Sequence, residues 1–187
     1  MRLFSRGSQI LITLFTLVCT TSILALTIPP SQVVSEINQI ASTMKSVDSA
    51  IQQIASHDPK AALLAHEALE NISSTFLSTA NDVLSASNFT ESDGISLLNS
   101  ISSLGSTMTP TLKDLGNQRG NVGGILQATN LDFVTVFLDD LQNLQLSFSL
   151  AFNCACNKVP ADISAQALPQ LNSILGLINS IITIYSS

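Results

Sequence analysis

Apolar residues recur every three or four positions through most of this chain, and on one side only. The first run is Val33, Ile37, Ile40, Met44, Val47, Ile51 and Ile54. Others follow as Ala62, Ala65, Leu69, Ile72, Phe76 and as Leu98, Ile101, Leu104, Met108, Leu112, Leu115. Such spacing keeps the side chains on one face of an α-helix. A helix with one apolar face has to bury it against other faces of the same kind. The β-branched residues fall inside the same period, so no strand pattern competes.

Local signals punctuate these stripes. After Pro29-Pro30, Ser31 is expected to cap a first helix that runs to about Ser56. Asp58-Pro59 then restarts the chain, with Asp as cap and Pro in the first turn, for a second helix to about Ala86. Thr90 with Asp93 approximates a capping box opening the third. Pro110 lacks a donor and is expected to kink or split that helix. Asn117 to Gly124 contains Gly120, Gly123 and Gly124 and reads as a connection. The fourth helix is expected over Ile125 to Phe152, or from a shorter start capped by Asn130. Pro160 suits the first turn of the fifth, and Pro169 is expected to kink it. Its stripe is Leu171, Leu175, Ile178, Ile182, Tyr185. The expected fold class is all-α, an antiparallel bundle of about five amphipathic helices.

The first residues resemble a secretory signal: Arg2 and Arg6, the apolar run Ile10 to Cys19, and a cleavage region ending at Ala25. That run is ten residues, against about 20 needed to span a bilayer. The expected organisation is a signal peptide over 1–25 and a single helical domain over 26–187, secreted to the cell exterior or wall. Losing Arg2 and Arg6 takes the net charge from −6 to −8. Only five scattered cations remain, which makes nucleic acid and anionic headgroups poor partners. Asn71-Ile-Ser73 and Asn88-Phe-Thr90 are glycosylation sequons. Helical angles turn Asn71 about 140° from its stripe, and Asn88 falls before the third helix, so both should face solvent. Ile174 to Ile184 is interrupted by Gly176, Asn179 and Ser180, which favours a bundle helix over a glycolipid-anchor signal.

Little in the chain nominates catalysis. His57 and His66 are nine apart, about 180° around a helix, and cannot share a metal. His66 is expected to be a partly buried structural residue. Gly-x-Ser-x-Gly, His-Glu-x-x-His and a phosphate-binding glycine loop are absent. Glu67/Glu70 and Asp139/Asp140 read as solvated faces, and Asp48 as a boundary residue. Cys19 is expected to leave with the signal. Cys154 and Cys156 either bridge one another, pair between molecules or stay reduced, in a local structural role; no ligand set completes a zinc site with them. No metal, cofactor or enzymatic activity is expected.

What remains is the apolar material: the stripes, with Phe133, Phe137, Phe148 and Phe152 added. It either fills a core or lines a space for an apolar ligand. Val47-Asp-Ser-Ala-Ile51, Ala65-His-Glu-Ala-Leu69, Val136-Phe-Leu-Asp-Asp-Leu-Gln-Asn-Leu144 and a last helix ending at Tyr185 resemble the fungal hydrophobic surface-binding protein family. That family includes cell-wall mannoproteins with lipid-binding domains. The Cys-Ala-Cys segment and the Gly-rich connection depart from its pattern. The resemblance implies a noncatalytic secreted domain that adsorbs to hydrophobic surfaces, encloses a fatty acid between helices, or works with a secreted hydrolase. The pocket residues it implies are Val47, Ile51, Leu69, Ile72, Phe76, Ile101, Leu104, Met108, Phe133, Phe137, Leu141, Phe148, Ile178 and Ile182. With no basic cluster, the carboxylate is expected to meet a hydroxyl or amide. The competing readings are an interfacial or wall protein with a filled core and an inhibitor of an extracellular enzyme. Plant inhibitors of the latter kind carry four cysteines, which this chain lacks.

Overall fold

The computed structural model describes residues 28–187, so the signal-peptide segment and Cys19 lie outside the described residues. Among the described residues the chain forms six helices: α1 (Pro30–Ile54), α2 (Pro59–Ser85), α3 (Glu91–Asn117), α4 (Arg119–Thr129), α5 (Phe133–Cys156) and α6 (Ala161–Tyr185). Several starts follow the local chemistry. Asp58 accepts from Lys60 N at 2.9 Å. Thr90 Oγ1 accepts from Asp93 N while Asp93 accepts from Thr90 N, a complete capping box. Ser31 does not cap α1; Pro29 precedes it and Pro30 stands at its first position. Pro160 sits one residue before α6 rather than in its first turn.

Two expectations change here. The Gly-rich connection is itself helical: α4 begins at Arg119, and Val122 and Ile125 bury their side chains. Burial of those two overrides the low helix propensity of the glycines. The break comes later, at Asn130 in the left-handed conformation (φ 61). Asn130 therefore closes α4, and Asp132 opens α5 by accepting from Thr135 N at 3.1 Å. Neither Pro110 nor Pro169 splits its helix. Around Pro110, the Thr107 and Thr111 hydroxyls bond to the carbonyls of Ser103 and Thr107, in the turn that loses a backbone bond.

The five long helices close into a ring in the order α1, α2, α5, α6, α3 and back to α1. Side-chain partners give their directions. Gln32 reaches Asp82, so α1 and α2 are antiparallel. His66 meets Asp140 and Phe76 meets Phe148 and Phe152, so α2 and α5 run parallel. Gln145 meets Asn179 and Phe137 meets Tyr185, so α5 and α6 are antiparallel. Gly94, Gly105 and Gly116 face Ile163, Ile174 and Ile181, so α3 and α6 are parallel. Successive long helices thus alternate in direction, while spatial neighbours include parallel pairs.

Short α4 leaves α3 and crosses one end of the ring towards α5, touching α2 on the way. There Gly124 lies against His57 in the α1–α2 turn. A Cβ at Gly124 would stand 2.5 Å from the imidazole, so any larger residue there would displace the His57 ring. At the other end Phe89 N bonds to the Lys158 carbonyl, and Lys158 Nζ to the Ala86 carbonyl. The inward faces of all six helices join in one apolar core.

Candidate functional site

The stripes meet in the middle of the ring. Val47, Ile51, Leu69, Ile72, Phe76, Leu104, Met108, Phe137, Leu141, Phe148 and Ile178 have no exposed surface at all, and Ile101 and Phe133 very little. Ile182 is only partly buried, while Ile181 and Tyr185 turn inward. The last stripe therefore steps from Ile178 by three and then four, rather than by four and then three. Among the described residues, these inward side chains leave no water-sized space beside them. Two open grooves lie on the outside instead. One of about 550 Å³ between α1 and α2 is edged by Thr43, Ser46, Ser49, Gln53, Glu67 and Asn71. One of about 370 Å³ between α3 and α6 is edged by Ser102, Thr109, Gln170 and Ser173. Between these polar residues the first groove is floored by Ala50, Leu64 and Ala68 and the second by Gly105, Pro169 and Ile174.

The phenylalanines divide into two groups. Phe76, Phe148 and Phe152 form a triangle between α2 and α5, with ring centres 4.6 to 5.8 Å apart. Phe133, Phe137 and Tyr185 follow one another towards the α4 end, at 6.2 and 6.1 Å. Edge contacts of this sort add to area burial.

Two to three turns along the same α2–α5 seam lies a polar contact that periodicity alone does not reveal. Asp140 was expected on a solvated face with Asp139, but it is 3% exposed. Its carboxylate bonds to His66 Nδ1 at 2.9 Å. His66 Nε2 faces Glu70 at 3.7 Å. Burial pushes the Asp140 carboxyl up to about 6, with the His66 bond and charge pulling the other way. Burial works against a charged His66, but the bond to Asp140 and the charges of Asp140, Glu70 and Glu67 outweigh it and raise its pKa. Donor atoms of His66, Glu70 and Asp140 lie within 4.8 Å of one another, close enough to share a cation. The direct His66–Asp140 bond makes the group a clasp between α2 and α5. A Cα angle on α5 was the available signal: Asp140 lies about 40° from Leu144, on the core side, whereas Asp139 lies about 140° away.

The α5–α6 seam is built differently and is the least extensive of the five. Its polar link among the described residues is the Gln145–Asn179 amide pair. By helical angle Val134 and Leu138 fall on the Gln145 side of α5, and Leu175 and Ile182 on the Asn179 side of α6; all four are partly buried. Leu168 further along is 43% exposed. Helix α6 is long and apolar enough to cross a membrane by length and composition; here Ile163, Leu171, Ile174, Ile178 and Ile181 pack it into the ring.

The remaining candidates are spread apart. Asn71 on α2 and Asn88 in the α2–α3 link are exposed. Asp48 accepts from Gln52 on its own helix. Cys154 and Cys156 both lie within α5, about 200° apart around it. Cys154 is buried and Cys156 half-exposed, so the tight bridge between them does not form: their side chains diverge.

A family model described as hydrophobic surface binding protein A matches residues 30–152, which spans α1 to most of α5. The fold is similar to that of Afmp4p, whose crystal structure is a complex with palmitic acid. The TM-score is 0.76 at 15% identity, covering 83% of this chain and 99% of that one. Ligand binding domain 1 of the Penicillium marneffei MP1 protein, complexed with arachidonic acids, matches with a TM-score of 0.55 at 12% identity, covering 81% and 99%. Ligand binding domain 2 of the same protein, complexed with multiple arachidonic acids, gives 0.58 at 10%, covering 82% and 96%. No curated protein matches by sequence.

Proposed function

Because the chain belongs to the hydrophobic surface binding protein A family, we propose that it is a secreted, noncatalytic protein that takes up a fatty acid or similar lipid between its helices. One observation carries this reading: five amphipathic helices close as a ring on one continuous apolar core. The solved proteins of this fold, complexed with palmitic and arachidonic acids, support it. The core is filled, so a guest enters only when helices part. The α5–α6 seam, apolar along its length and linked by one amide pair, is the route. A sixteen-carbon chain gains on the order of 12 kcal/mol gross on leaving water, which offsets the lost helix contacts and the ordering of the chain.

Displacement of a fluorescent fatty acid from delipidated protein tests the proposal. Saturable binding at micromolar concentration is expected, and its absence would sink the pocket. In that event a second reading takes over, in which the protein adsorbs to apolar surfaces with its core closed. The filled core favours it, as do Leu63, Leu77, Leu146 and Leu168, each more than 40% exposed.

A further inference from the structure

We propose that Arg119 holds the carboxylate of the bound fatty acid at the α4 end of the core. The proposal rests on the lipid reading above and adds the residue that recognises the acid group.

Arg119 differs from every other described cation. Lys45, Lys60 and Lys113 stand exposed, and Lys158 Nζ is taken by the Ala86 carbonyl at 2.9 Å. Arg119 is half-buried at the start of α4. Its Nε is enclosed and has no hydrogen-bond partner among the described residues. Nor does any described carboxylate come within ion-pair distance of it; the ion pairs among the described residues are those of His66 with Glu70 and Asp140. A buried donor left without an acceptor is costly, and a guanidinium fits a carboxylate with two parallel bonds.

The surroundings aim this group at the core. Its guanidinium carbon lies 5.9 Å from the centre of the Tyr185 ring. Tyr185 is almost fully buried, donates its hydroxyl to the Leu115 carbonyl at 3.0 Å, and packs on Phe137. One aromatic ring therefore separates the cation from the apolar interior. Gly123, one turn along α4, gives the guanidinium its shelf: a Cβ there would stand 3.3 Å from Nη1. Asp132 feels the charge of Arg119, but its carboxylate is committed to Thr135 N and Oγ1 at the start of α5. A linear monocarboxylic acid fits this arrangement, with its chain in the core and its head under α4. The scarcity of cations pointed to a neutral headgroup contact; one oriented arginine suffices, because its position matters and the net charge does not.

Binding of palmitate and of hexadecanol to delipidated, tag-free protein at pH 7.5 separates the acid group from the chain. Arg119→Gln should weaken palmitate about ten-fold or more and leave hexadecanol within about two-fold, as expected for losing a charge-assisted bond. Gly123→Ala, which crowds the guanidinium while keeping it, should lower palmitate affinity in the same selective way. Unchanged palmitate binding in Arg119→Gln, or an equal loss for both ligands, would overturn the assignment. Wild-type protein that binds neither ligand would instead overturn the lipid reading on which it rests.

Discussion

Helix α5 has a neighbour on either side, and its two seams are closed by different means. Towards α2 it presents the Phe148 and Phe152 rings and the buried Asp140, which meet Phe76 and His66. Towards α6 it presents Val134 and Leu138 along an edge lined by Leu175 and Ile182, with Gln145 bonded to Asn179. The first seam combines interlocking aromatics with a directional bond, so separating its helices strips packing and leaves a buried carboxyl unpaired. The second loses mainly half-buried aliphatic contact and an amide pair that water replaces readily. A bundle that must open without unfolding needs this asymmetry: one flank of α5 firmly held, the other easily parted.

The largest test strikes the firm seam. Phe148→Ala should lower stability by about 3–5 kcal/mol, the usual effect of emptying a buried aromatic site, while Leu175→Ala on the other seam should lower it by about 1 kcal/mol. Urea denaturation compares the two, and equal losses would erase the distinction. The clasp comes next. Its two groups have raised pKa values, so their contribution is fully present in acid and is lost as pH rises. For Asp140 the loss runs from the ordinary carboxylate range up through about 6, and for His66 it continues above the ordinary imidazole value. Asp140→Asn should flatten the lower part of that window, a difference of about 2 kcal/mol between pH 4 and 7. Stability profiles that superimpose for the two proteins would remove the clasp from the account.

A smaller effect is expected on α6 itself. A Cβ at Gly176 meets nothing within 4 Å, so Gly176→Ala should stabilise the helix by about 1 kcal/mol. Hydrogen exchange should then slow along α6 and leave α2 unchanged. The smallest change in stability belongs to the amide pair. Gln145→Leu should alter it by less than about 0.5 kcal/mol, yet speed fatty-acid uptake in stopped-flow fluorescence. Uptake at the wild-type rate would place the route elsewhere.

Helix after helix was legible from spacing, because burying one face imposes the same period wherever it occurs. Asp58, Thr90 and Asp93 were legible as caps, because their bonds reach only two or three residues along the chain. The glycines of α4 misled, since weak propensity yields when Val122 and Ile125 find a core to enter. Gly94, Gly105 and Gly116 carried an unread signal. Eleven residues make three turns, so they line one side of α3, where Ile163, Ile174 and Ile181 pack against it.

By itself, then, the sequence determined that this protein is a set of amphipathic helices with little but apolar surface to act through. Those properties depend on neighbours a turn or two away. Tertiary structure alone decided which helices pair, that α2 and α5 run parallel, that Asp140 meets His66 across 74 positions, and that Arg119 lies over the Tyr185 ring with its Nε enclosed and without a hydrogen bond. Such facts depend on where distant segments meet, and no local period encodes the meeting.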